Sequence, residues 1–115
     1  GMIADYARER GHQVRFVQSN HEGVLIDVIQ QAGEDGTQGI VINPGAYAHY
    51  SYAIHDALRS IAVPAVEVHI SDISARESWR HVSVTSAACV KTIAGEGFPG
   101  YLRAIDALEA MERTV

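Results

Sequence analysis

Residues 63–81, VPAVEVHISDISARESWRH, begin as a buried strand and then bring an acid, an imidazole and two guanidiniums into one stretch. Glu67 and His69 are two residues apart, so on a strand they point to the same face. There the carboxylate can accept a hydrogen bond from the imidazole, fixing the ring's tautomer and making its other nitrogen more basic. Such a pair suits general acid catalysis near neutral pH; the bland alternative is a satisfied structural Glu–His bond. Arg76 and Arg80 follow, four residues apart on what reads as a short helix over 75–80. Alone they would be a solvated surface pair with Glu77. Desolvating charge without pairing it is costly, however, and beside Glu67 and His69 they become candidates to bind an anion. Ser71 and Asp72 precede that helix, where backbone N–H groups could hold a carboxylate; Ser71 is equally a plain N-cap.

A second cluster lies in INPGAYAHYSYAIHDA, residues 42–57. Asn43 ends a short apolar strand, and an amide there can hold a water or a developing oxyanion. His49 falls in the loop or first helical turn that follows and Asp56 on the helix itself, while His55 reads as simply exposed. A third stretch, QSNHEGVLID at 18–27, offers Ser19 or Asn20 as a helix cap, with Glu22 placed as in a capping box. The same stretch could line a site, with Asn20, His21 and Glu22 standing behind Asn43 or His69. Neither H-x-x-x-H nor H-x-H spacing occurs, so no metal site is expected.

Positioning these groups falls to the elements around them. The pattern predicts helices over 3–10, 22–32, 50–61, 75–80 and 101–113, and strands over 12–18, 39–43, 65–70 and 88–94. Gly11 stops the first helix, Pro44 ends the second strand, and the loops at 33–39 and 95–100 are rich in glycine. Strands alternating with helices imply right-handed crossovers and a parallel sheet covered on both faces. Ligands in such folds bind beyond the carboxyl ends of the strands. The polar clusters fall there: 19–22 after the first strand, Asn43 after the second, and Glu67, His69 and Ser71 at the third.

Composition narrows the class of partner. With 115 residues, 47% of them hydrophobic, the chain is one globular domain, 1–115, able to bury a core. Its net charge of -5 argues against nucleic acid, though not against an anion held in a locally positive pocket. Its basic residues are arginines apart from Lys91, a skew toward the side chain that binds carboxylates in bidentate fashion. Cys89, the only cysteine, lies in the mostly apolar run AACVKTIAG and reads as a buried structural thiol. No run approaches the ~20 apolar residues of a membrane span, and the start carries no signal-peptide pattern. A cytoplasmic protein without a membrane partner is the expectation.

QSNHEG (18–23), INPGAYAH (42–49), the helix carrying Asp56 and VEVHIS-x-I-x-ARE-x-x-R (66–80) together resemble, in order and spacing, type II 3-dehydroquinate dehydratase. The resemblance runs from the first residues to the last helix. It implies a flavodoxin-like α/β fold with helices on both faces of a parallel sheet. It also implies a lyase that converts 3-dehydroquinate, a small carboxylate, to 3-dehydroshikimate and water through an enolate, with no metal, Schiff base or other cofactor. A homododecamer built as a tetramer of trimers, serving the shikimate pathway or quinate catabolism, is implied as well. By position in the motifs, His69, oriented by Glu67, would protonate the departing C1 hydroxyl. Asn43 would hold the water that stabilises the enolate oxygen, and would bind the substrate carboxylate with the backbone N–H groups of Ile70 and Ser71. His49 and Arg80 would hydrogen-bond substrate hydroxyls, and Asp56 would reach in from a neighbouring subunit. Arg76 would sit near the lid and subunit contacts.

The sequence departs from the family at its start. The family opens with a strand ending in an NGPNLNLLG-like motif, then a mobile loop with an essential arginine and the tyrosine base for the C2 proton; this sequence begins after both. Tyr6, Tyr47, Tyr50, Tyr52 and Tyr101 do not occupy the base position. In strand order 2-1-3-4-5 the absent strand is the central one, between 12–18 and 39–43, so two edges with unpaired backbone groups are expected to face a gap. The expectation is a domain N-terminally incomplete in this sequence and poorly active by itself. One competing reading is a catalytically inactive relative that keeps the carboxylate pocket and the oligomer contacts. Another, a phosphoacceptor domain of the same fold class, is disfavoured by Asn43-Pro44 where it needs an aspartate.

Overall fold

Ala65–His69 is the middle strand of a three-stranded parallel sheet and is buried along its whole length. A parallel strand covered on both faces suits a nearly unbroken apolar run, which makes the carboxylate and imidazole inside this one conspicuous. The computed structural model describes residues 1–112. Its elements follow in the order α1 (Met2–Glu9), α2 (Glu22–Ala32), β1 (Ile40–Ile42), α3 (Tyr52–Arg59), β2 (Ala65–His69), β3 (Lys91–Ala94) and α4 (Pro99–Glu112). The strands lie in the order β1-β2-β3, with Ile42 opposite Glu67 and Ala94 opposite His69. On one face, Ile29 of α2 and Ile54, Ala57 and Leu58 of α3 pack with Ala65. On the other, Ala104 of α4 packs with Val66, Val68 and Ile93. This is the flavodoxin-like α/β layering expected, and it brings the ends of all three strands to one rim.

Local chemistry sets several element boundaries. Ser51 caps α3, its Oγ accepting the Ile54 N–H at 3.0 Å, and in turn donates to Glu22 at the start of α2. The cap of α2 is His21, without a side-chain bond, while Ser19 Oγ accepts the His21 N–H at 3.0 Å. The capping box anticipated from Ser19 and Glu22 is therefore not formed, because Glu22 is engaged by Ser51. Helix α4 begins two residues earlier than the pattern indicated, with Pro99 in the first position, where a missing N–H costs nothing. Position 113 of that expected helix lies outside the described residues.

Two expected elements differ in kind. Residues 12–18 form no strand, and Val14, Phe16 and Val17 are exposed. A strand needs a neighbour for its N–H and C=O groups; among the described residues the sheet ends at β1, and β propensity without a partner does not make a strand. The helix over 75–80 is replaced by two 3-10 helices, Ile73–Ala75 and Ser78–His81, closed by bonds such as Arg80 N–H to the Glu77 carbonyl at 2.8 Å. So short a segment does not recover the cost of nucleating an α-helix, and Arg76 and Arg80 do not share a helix face. No helix among the described residues is long and apolar enough to cross a membrane.

Candidate active site

Glu67 has no exposed surface, and His69 above it is 5% exposed. The two are joined as the period of a strand predicts, with His69 Nε2 2.8 Å from Glu67 Oε2. Ser83 Oγ donates to the same oxygen at 2.6 Å, and Thr85 Oγ1 donates to Oε1. Sheltering a carboxylate from water costs several kcal/mol, and bonds to an ionised acceptor return about 1.5–3 kcal/mol each, so three donors suffice. Burial pushes the Glu67 carboxyl up, but the bonds from His69, Ser83 and Thr85 outweigh it and hold the group below the ordinary carboxylate range. An ionised carboxylate can only accept. His69 Nε2 must therefore carry the proton, which leaves Nδ1 as the nitrogen for chemistry.

The second histidine is fixed by the same stretch of chain. His49 closes the 3-10 helix Gly45–His49, and its Nδ1–H donates to the Val82 carbonyl at 2.6 Å. Val84 N–H donates to the Ala48 carbonyl at 2.7 Å, tying residues 82–85 to that helix. The His49 and His69 rings lie 6.4 Å apart with planes 21° from parallel, and Trp79 meets His49 edge-on at 5.2 Å. Because a carbonyl holds its Nδ1–H, His49 Nε2 is left as an acceptor for a hydroxyl. Arg80 stacks over Trp79 at 4.0 Å from the ring centroid and is paired with Glu77.

Asn43 lies at the rim on the side of α4. Its Oδ1 accepts the Gly45 N–H at 3.1 Å, and its Nδ2 donates to Tyr101 Oη at 2.9 Å. These bonds hold the amide in place, and neither runs to Glu67 or His69. The turn leaving β2 is closed by Gly95, whose N–H reaches the carbonyls of His69 at 3.2 Å and Ser71 at 3.1 Å, and by Gly97, whose N–H reaches that of Ile70. Gly95 has φ +78, and a Cβ there would meet Asp72 at 3.3 Å, so glycine is needed. The turn thus keeps Ile70 and Ser71 beside His69.

The remaining positions stand apart. Asp56 is largely exposed on α3 and pairs with His55. Arg76 lies exposed between the two 3-10 helices. Glu22 binds Ser51, and the Asn20 carbonyl accepts Tyr47 Oη at 2.8 Å, so both brace the surroundings of the Gly45–His49 helix and touch neither Asn43 nor His69. Burial pushes the Cys89 thiol up to about 12, which keeps it a thiol at neutral pH, in line with a structural role. Lys91, in contrast, is exposed at the start of β3. Spacing in the sequence does not single out Ser83, Thr85 or Tyr101; the trace available is three hydroxyls, at 83, 85 and 86, among Val82, Val84, Ala87 and Ala88.

The arrangement offers a carboxylate-bonded imidazole, a second imidazole held by a carbonyl, an anchored amide and a glycine-closed turn along one rim of the sheet. Residues 1–109 match the family described as dehydroquinase class II. A 3-dehydroquinate dehydratase of Lachnoclostridium phytofermentans is 55% identical over 110 residues, which are 96% of this chain and 76% of that protein. The crystal structure of the type II dehydroquinase from Butyrivibrio crossotus superposes with a TM-score of 0.93 at 53% identity, covering 94% of this chain and 75% of that one. A 3-dehydroquinate dehydratase-like protein from Bifidobacterium longum, 30% identical, superposes with a TM-score of 0.79 over 97% of this chain and 84% of that one.

Proposed function

The chain belongs to the class II dehydroquinase family, and from that premise we propose that it is a hydro-lyase acting on 3-dehydroquinate. A tyrosine base of the kind the family carries takes the proton from C2 to give an enolate, the C1 hydroxyl departs with a proton from His69 as water, and the product is 3-dehydroshikimate. His69 is the general acid, with Nδ1 toward the leaving hydroxyl and Nε2–H held by Glu67. Asn43 holds the water that stabilises the enolate oxygen and, with the N–H groups of Ile70 and Ser71, takes the substrate carboxylate. His49 and Arg80 bind hydroxyls. No tyrosine of this chain is assigned as the C2 base. Asp56, exposed on α3, suits a contribution to a neighbouring subunit's site in a homododecamer arranged as a tetramer of trimers. Arg76 belongs with those subunit contacts. The enzyme works in the cytoplasm, in the shikimate pathway or in quinate catabolism.

The observation that carries this reading is the buried Glu67–His69 pair at the carboxyl end of the central strand. The test is absorbance of the conjugated enone product, for the protein and for His69→Ala and Asn43→Ala. A loss of about 10²–10⁴-fold in kcat is expected for His69→Ala. Product formation unchanged by both substitutions would overturn the site assignment. Binding of a substrate-like carboxylate without turnover in a verified full-length protein would point instead to a non-catalytic relative.

A further inference from the structure

We infer that Ser83 and Thr85 are positioning residues that lock the Glu67 carboxylate and thereby set which nitrogen of His69 faces the substrate. The inference rests on the dehydratase reading for its catalytic consequence, but its structural half stands independently. Four bonds define the lock. Ser83 Oγ donates to Glu67 Oε2 at 2.6 Å, and Thr85 Oγ1 donates to Glu67 Oε1. Ser86 N–H donates to Ser83 Oγ at 3.2 Å, so the Ser83 hydroxyl proton is left for Glu67. Val84 N–H, between the two hydroxyls, anchors to the Ala48 carbonyl. Thr85 has no exposed surface, so water cannot replace its hydroxyl without repacking. Each carboxylate oxygen thus has a hydroxyl assigned to it.

The lock has a consequence for the ring. A carboxylate with one oxygen unbonded is free to rotate and to let the imidazole turn over. With Oε1 tied to Thr85 and Oε2 shared by Ser83 and His69, the carboxylate presents one lone-pair direction to His69 and accepts only Nε2–H. Nδ1 is then the sole nitrogen available to donate to a leaving hydroxyl. Residues 82–85 also hold His49 through the Val82 carbonyl, so one short segment orients both rings. A group acting in this way supports the transition state and not substrate binding, so its loss lowers kcat and leaves KM in place.

The test combines kinetics with NMR of protein carrying nitrogen-labelled histidine. Thr85→Val, nearly isosteric, should lower kcat about tenfold with KM within about twofold, whereas Thr85→Ser should retain most of the activity. In a Glu67→Ala background, which removes the group Thr85 acts through, Thr85→Val should add nothing. In the wild type, neutral His69 should carry its proton on Nε2; in the Ser83→Ala, Thr85→Val double variant the two tautomers should mix. If Thr85→Val does not fold, Ser83→Ala supplies the same comparisons from a less buried position. An equal fold-loss in both backgrounds, or a double variant keeping one tautomer and full kcat, would overturn the inference. Absence of turnover in a verified full-length wild type would count against the dehydratase reading instead, and the tautomer measurement would still decide the lock.

Discussion

Replacing Glu67 by glutamine separates the two things this carboxylate does, because the amide keeps its shape and removes its charge. His69 Nε2–H and Ser83 O–H share Oε2, and Thr85 O–H holds Oε1. An amide has one oxygen for these three donors, so its NH2 must face one of the two positions. A hydroxyl can rotate to accept, whereas an imidazole that keeps its Nε2–H cannot. The stable arrangement keeps the amide oxygen toward His69 and turns the Thr85 hydroxyl around. Losing bonds to an ion is then offset by no longer burying one, and unfolding free energy should change by no more than about 1–2 kcal/mol. The rate should change more. The imidazolium that donates the proton keeps its bond to the amide oxygen but loses the opposing charge, an effect of up to about 1.5–3 kcal/mol, which is up to about 10- to 160-fold in kcat at 1.36 kcal/mol per tenfold. Enone absorbance and urea unfolding on the same preparation measure both quantities. A folded Glu67→Gln protein with kcat within about twofold of the parent would refute the role given to the carboxylate.

Two further outcomes follow from individual contacts. Because the folded state holds the Glu67 carboxyl below its ordinary range, the stability it contributes is present above the unfolded carboxylate value of about 4.3 and is lost as pH falls through the folded-state value. Urea midpoints taken from about pH 7 to about pH 3 should therefore fall less steeply in Glu67→Gln than in the parent, and parallel curves would show that the carboxyl is not depressed. Ser51→Ala removes the cap of α3 and the partner of Glu22; it should cost about 1 kcal/mol, within a usual range of about 0.5–2, with an unchanged urea midpoint as the contrary result.

Much of the layered fold was legible because it depends on periodicity. Apolar spacing in 22–32 and 50–61 marks α2 and α3, and the uninterrupted run at 63–66 marks a strand covered on both sides. Segment 12–18 has the same alternation and forms no strand, since alternation reports which face is apolar but not whether a neighbour is present to take the backbone bonds. The 73–81 segment illustrates the other limit. Its i, i+4 arginines have helical spacing, yet a stretch pinned between the Gly95-closed turn and the loop at 82–85 closes two 3-10 turns instead. There, tertiary anchoring outweighs a local preference worth well under 1 kcal/mol per residue.

Why the site was only half visible comes down to what kind of partner each histidine has. The Glu67–His69 relation is local, two positions along one strand, so sequence spacing alone reveals it. The partner of His49 is the main-chain carbonyl of Val82, 33 positions away, a group that every residue type carries. Ser83 and Thr85 likewise acquire meaning only once the loop folds back onto Glu67. The difference in partner also divides the labour between the two rings. A carboxylate opposite a ring N–H favours positive charge on that imidazole, whereas a carbonyl mainly fixes a tautomer. The ring facing the anion has Nδ1 left to face a leaving group, and the ring facing the carbonyl has Nε2 left to accept a hydroxyl. Two histidines 6.4 Å apart are given separate tasks by the single segment that runs behind them both.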